Sequence, residues 1–122
     1  MSSINCVLLN NSFQANLTAI DITSQCILDT DVKATEDFNV TVINKTIYIR
    51  GGIFTNNNTV PNTAKTLFTL PALYRPTERN EHFTCVAGIY PAVLLVNKDG
   101  TVQAMINGTQ KNFYFGISFL IN

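Results

Sequence analysis

FNVTVINKTIYIRGG, residues 38–52, is the stretch that decides the fold. On either side of Asn44-Lys45, β-branched and aromatic residues alternate with polar ones. A period of two sends successive side chains to opposite faces of a strand, so each half carries one apolar face. Asparagine tolerates the left-handed backbone that a two-residue link needs, and the stretch therefore predicts a hairpin turning at Asn44-Lys45. Gly51-Gly52 then predicts a bulge or a sharp bend before Ile53 and Phe54.

The same alternation extends downstream. A polar loop, Thr55-Asn-Asn-Asn-Thr59, ends near Pro61, and residues 64–70 read as a strand with Leu67 and Phe68 on opposite faces, stopped by Pro71. Residues 82–90 form the next strand, with Phe83, Cys85 and Ala87 on one side, and Pro91 separates it from 92–97. Asp99-Gly100 joins that strand to 101–105, Asn107-Gly108 repeats the turn chemistry, and residues 112–121 close the chain. Upstream, residues 4–9 read as a strand, Asn10-Asn11 as a turn and 17–22 as a second alternating piece. Residues 25–38, with Asp29, Asp31, Glu36 and Asp37, have no clear period, and a short helix or an irregular crossover both fit. Short strands recurring about every ten residues predict an all-β antiparallel fold, a β-sandwich or jelly roll.

The final strand has two apolar faces. Phe113, Phe115, Ile117 and Phe119 lie on one, and Tyr114, Gly116, Ser118 and Leu120 on the other. Such a strand wants cover on both sides. One side is the core, and the second cover comes either from another subunit or from a long loop over a central strand. The phenylalanine and isoleucine positions are the candidate subunit interface.

Composition narrows the functional classes. At 122 residues the chain is expected to be one domain, 1–122, with 38–122 its regular core and 1–37 less regular strands or crossover. With 46% apolar and only 13% charged residues, it is a globular protein with a weakly charged surface, the kind that self-association would cover. Eight basic residues balance eight acidic ones, which leaves no field to draw nucleic acid or an anionic membrane. No basic amino-terminal region precedes an apolar run, and no segment approaches the roughly 20 apolar residues of a membrane span, so neither a secretory signal nor membrane insertion is expected. Cys6, Cys26 and Cys85 are an odd number without C-x-x-C spacing, which predicts reduced thiols in a reducing cytoplasm rather than disulfides or zinc.

Catalytic signatures are weak. His82 is the sole histidine, and Cys85 lies three positions further along the strand, which puts the two on opposite faces. Ser118 lacks the strand-to-helix elbow of a hydrolase serine. Glu78 with Glu81, and Asp29 with Asp31, are nominal carboxylate pairs on loops, and the glycine-containing loop of an EF-hand is missing. No cofactor or metal is expected. Amphipathic groups do collect beside turns: Tyr74, Arg75, Arg79, Glu81, His82 and Tyr90. Planar rings that stack on sugars, with guanidinium and carboxylate groups for hydroxyls, suit saccharide recognition, whereas Tyr74 and Arg75 equally suit the packing of a strand corner.

The ordered motifs Ile49-Arg50-Gly51, Leu70-Pro71-Ala72-Leu73-Tyr74-Arg75-Pro76, Asp99-Gly100 and Gly116-Ile-Ser-Phe119 resemble the carboxy-terminal head domains of receptor-binding and baseplate tail proteins of tailed phages and prophages of Gram-positive bacteria. The likeness runs from about Phe38 to Asn122. It departs at Leu73, where the family carries glycine; leucine at positive φ would be strained, so a different turn is expected there. The resemblance implies a β-sandwich assembled as a homotrimer at the virion tail tip, made in the host cytoplasm and touching bacterial cell-surface saccharide. Three readings follow: a non-catalytic host-recognition module, an accessory baseplate or tail protein contacting only other tail proteins, and a glycan hydrolase on the same scaffold.

Overall fold

In the computed structural model, residues 18–121 are described; the strand expected over 4–9, the turn at Asn10-Asn11 and Cys6 lie outside them. Ten strands follow one another: β1 (Ala19–Asp21), β2 (Ile27–Leu28), β3 (Val32–Ala34), β4 (Asn39–Ile43), β5 (Thr46–Thr55), β6 (Lys65–Thr69), β7 (Glu81–Ala87), β8 (Tyr90–Val96), β9 (Thr101–Met105) and β10 (Asn112–Leu120). All pair antiparallel in one sheet, ordered β1-β4-β5-β10-β7-β8-β9-β6-β2, with β3 on β5 beside β4. The expected all-β antiparallel fold is present, but its layers belong to one continuous sheet curled into a half-barrel around a single core.

The hairpin predicted at Asn44-Lys45 is the β4–β5 hairpin, with Ile43 opposite Thr46 and Asn44 at φ 55°. Gly51 is the bend. β10 pairs one-to-one with β5 along its whole length, so no residue bulges out on that side. On the other side the pairing of β5 with β4 ends at Arg50, and its pairing with β3 begins at Ile53. At the changeover Gly51 has φ 102°, and a Cβ there would lie 2.5 Å from the Phe38 Cα, a backbone approach only glycine admits.

Two expectations in the middle of the chain need correction. Residues 82–90 are not one strand: Gly88, at φ 64°, and Ile89 form a two-residue turn, with Ala87 opposite Tyr90. Pro91 therefore lies inside β8, opposite Val86, where β9 has not yet begun to pair; a missing N–H there removes no ladder bond on the β9 side. In β6 the register shifts between Thr66 and Phe68, and Leu67 and Phe68 are both fully buried instead of facing apart. Residues 25–38 are a crossover carrying the short β2 and β3, with a 3-10 turn at Thr23–Gln25 just before it.

The core is aromatic at its centre. Phe38 meets Phe68 edge-on at 5.1 Å between centroids, and Phe115 approaches both at 6.3 and 6.4 Å. Phe113, Phe115 and Phe119 are buried in this core and Ile117 packs against it. Three of these four side chains are thus covered within one chain and Ile117 partly so, while Tyr114 and Leu120, on the opposite face of β10, are exposed.

Candidate functional site

The sheet has two ends. The turns at 44–45, 70–80 and 97–100 cluster at one, while the loops at 56–64, 88–89 and 106–111 meet at the other. The candidate residues read from the sequence divide between them. Arg79 and Glu81, 3.6 Å apart, line a cleft of about 360 Å³ with Pro76 and Leu120 at the first end. His82 is exposed on the outer face opposite Leu95, and the buried Cys85 points the other way. Tyr90 lines a different cleft, of about 380 Å³, with Pro91 and Asn107. The seven residues of β7 run from one end to the other, roughly 20 Å of strand, so one ligand unit does not touch both.

Tyr74 and Arg75 belong to the corner itself. Residues Ala72–Tyr74 form a 3-10 turn in which the Tyr74 N–H donates to the Pro71 carbonyl at 3.0 Å, and Tyr74 packs against the core. Leu73 is exposed and does not take a positive φ, so the turn accommodates leucine without backbone strain. Arg75 Nε donates to the Leu70 carbonyl at 2.9 Å, and the Leu70 N–H donates to the Gly100 carbonyl at 2.8 Å. The guanidinium lies directly on Gly100, where a Cβ would come 2.3 Å from Nε. Arg75 is thereby committed to holding a β6 exit against the β8–β9 turn.

A groove of about 470 Å³ across the outer face of β4, β5 and β10, larger than either cleft, was not singled out by any sequence motif. Register builds it. Asn39, Arg50 and Gly116 form one cross-strand row, and Thr41, Tyr48 and Ser118 the next. Tyr48 is 44% exposed. The Arg50 guanidinium has no hydrogen-bond or ion-pair partner among the described residues. Asn39, by contrast, is fixed: its Nδ2 donates to Asp21 Oδ2 at 3.3 Å, and its Oδ1 accepts from the Thr41 hydroxyl. Asp21 also accepts from the Thr23 hydroxyl at 2.6 Å and the Thr23 N–H at 2.9 Å, and those two bonds, with Asn39, hold its carboxyl below the usual carboxylate range. The groove thus combines an aromatic face, an oriented amide, two hydroxyls and a guanidinium unpaired among the described residues.

Other titratable groups are engaged elsewhere. Asp29 and Asp31 both bind Lys65 Nζ, at 2.8 and 2.6 Å, so a cation already occupies the place between them. Burial pushes the Cys85 thiol up to about 11, and burial together with the Asp21 charge does the same for Cys26. Such thiols are protonated and poor nucleophiles at neutral pH.

No protein-family model matches the chain, and no curated protein matches it in sequence. Among solved structures, it is similar to the head domain of phage bIL170, described in a study of a common fold for the receptor-binding domains of lactococcal phages. The TM-score is 0.61 at 18% identity, over 87% of this chain and 99% of that one. The chain has the fold of a phage receptor-binding head domain.

Proposed function

We propose that the chain is a non-catalytic host-recognition module of a phage tail tip, which binds a bacterial cell-surface saccharide as a homotrimer and contacts other tail or baseplate proteins. The outer-face groove carries this reading. Sugars offer a flat apolar face and a rim of hydroxyls, and Tyr48 beside the held Asn39 and Thr41 supplies a complementary surface without reorganisation. Arg79, Glu81, His82 and Tyr90 are accessory contacts in this reading. The uncharged outer face of β10, β7 and β8, with Tyr114, Val86 and Val93 all partly exposed, offers the surface for a second subunit. Three copies would raise the avidity of a shallow site for a repeating polymer.

The test is calorimetric titration with purified wall polysaccharides from Gram-positive bacteria, alongside light scattering. Saturable binding without release of reducing ends, an affinity at least about tenfold weaker in Tyr48→Ala, and a native mass three times the 13.5 kDa chain are expected. A protein that binds no such polymer, whatever its mass, is instead an accessory tail component.

A further inference from the structure

We propose that Gly116 is the specificity-determining residue of the groove: its missing side chain opens a slot in which one neutral pyranose ring lies against bare backbone, stacked on Tyr48. This rests on the saccharide reading of the same groove. The argument starts from what the fold does not require. A glycine inside a strand weakens it, and usually marks a bulge, a tight bend or a close approach by a ligand or another backbone. Gly116 sits in the interior of the nine-residue β10. It pairs in unbroken register with Arg50, so there is no bulge against β5. Four of the six glycines have positive φ, but Gly116 is not one of them. A Cβ built on it meets no atom within 4 Å, in contrast to Gly51 and Gly52, whose Cβ atoms would strike neighbouring backbone or ring atoms.

Neither conformation nor packing therefore calls for glycine here. What it supplies is open volume, and the surroundings say what fits. β7 pairs with β10 only at Phe113 and Tyr114, so no residue of β7 is paired opposite Gly116, and no atom comes within 4 Å of the place its Cβ would take. Tyr114 leans the other way, its ring over Gly52 and edge-on to Phe54 at 6.2 Å. Tyr48 stands diagonally across from Gly116, Arg50 directly opposite and Ser118 next along the strand. A slot one side chain wide, walled by an aromatic ring and rimmed by hydroxyl and guanidinium groups, matches a flat ring with hydroxyls at its edge.

Gly116→Val tests this, with Gly116→Ala as a smaller step, using the methyl glycosides of glucose, galactose and N-acetylglucosamine as probes. In the wild type, at least one glycoside is expected to shift the backbone amide resonances of residues 116–118. Valine suits an extended strand better than glycine. The Val variant should therefore melt at the same or a higher temperature with unchanged native mass, yet lose these shifts and bind wall polysaccharide at least tenfold more weakly, with Ala intermediate. Polysaccharide binding equal to wild type in both variants overturns the role of Gly116 and leaves saccharide recognition standing. An altered native mass, or unfolding of both variants, also overturns it, because glycine would then serve subunit contact or the fold. If the wild type binds neither polysaccharide nor glycoside, both readings fall.

Discussion

Arg75, in the proline corner, and Arg50, in the groove, are the same side chain in opposite circumstances. The corner looks functional in the sequence, since Pro71, Tyr74, Arg75 and Pro76 crowd beside the densest charge in the chain. Yet Arg75 is committed to the Leu70 carbonyl and lies on Gly100, and Tyr74 packs on the core. The groove lies in a plain alternating hairpin, and there the Arg50 guanidinium has no partner among the described residues while Tyr48 stands 44% exposed. A conspicuous residue cluster can be fully used by the backbone it shapes. What marks a recognition surface is donor capacity left over once the fold is satisfied.

The comparison can be broken or sharpened by substitution. The largest effect is expected at Gly51, on which the bend beneath the groove depends. Gly51→Ala combines positive φ with a clash against Phe38 backbone and should cost about 3–5 kcal/mol in a denaturant titration. Near-wild-type stability would show that the bend can be re-formed. Next come the two arginines. Arg75→Ala should lower stability by about 1–3 kcal/mol, because it strips a charged donor from a partly buried carbonyl, and leave polysaccharide affinity unchanged. Arg50→Ala should leave stability within about 0.5 kcal/mol and weaken polysaccharide binding about tenfold. The reverse pattern would exchange the roles of the two regions.

The smallest effect is acid sensitivity at the corner. The Thr101 hydroxyl and N–H, with the nearby Arg75 charge, hold the Asp99 carboxyl below its ordinary value of 3.8. A depressed carboxylate stabilises the fold fully above its unfolded value and ceases to do so as pH falls through the lower folded one. Melting temperature should therefore decline below about pH 4, less steeply in Asp99→Asn than in the wild type. Equal slopes would assign the acid transition to other carboxylates, of which Asp21 and Asp31 are also held low by hydrogen bonds, from Thr23 and from Lys65 respectively.

Much of the fold was legible because its determinants are local. The Asn44-Lys45 hairpin, the turn at Asp99-Gly100 and the burial of alternate residues in β4 and β5 follow from period two and turn chemistry. The β7–β8 turn was misplaced because Pro91 is the stronger breaker on paper, while the actual turn depends on Gly88 reaching positive φ. Half the groove was also within reach. Once Ile43 faces Thr46, Thr41 must face Tyr48 and Asn39 must face Arg50, which places an aromatic, a cation and an amide on one polar face. The remaining signal was a glycine in the middle of a predicted strand.

The sequence by itself determined the antiparallel strand class, most of the turns, and the two faces of each strand, since backbone sterics and side-chain alternation act within a few residues. Only the tertiary structure decided that β10 lies between β5 and β7, which face of β10 enters the core, and which arginine side chain is left without a partner among the described residues. Those outcomes depend on pairings between segments distant in the chain, each chosen by the sum of many weak burial and hydrogen-bond terms. No single local pattern encodes that sum, so Gly116 acquires its meaning only when Arg50 and Tyr48 arrive beside it.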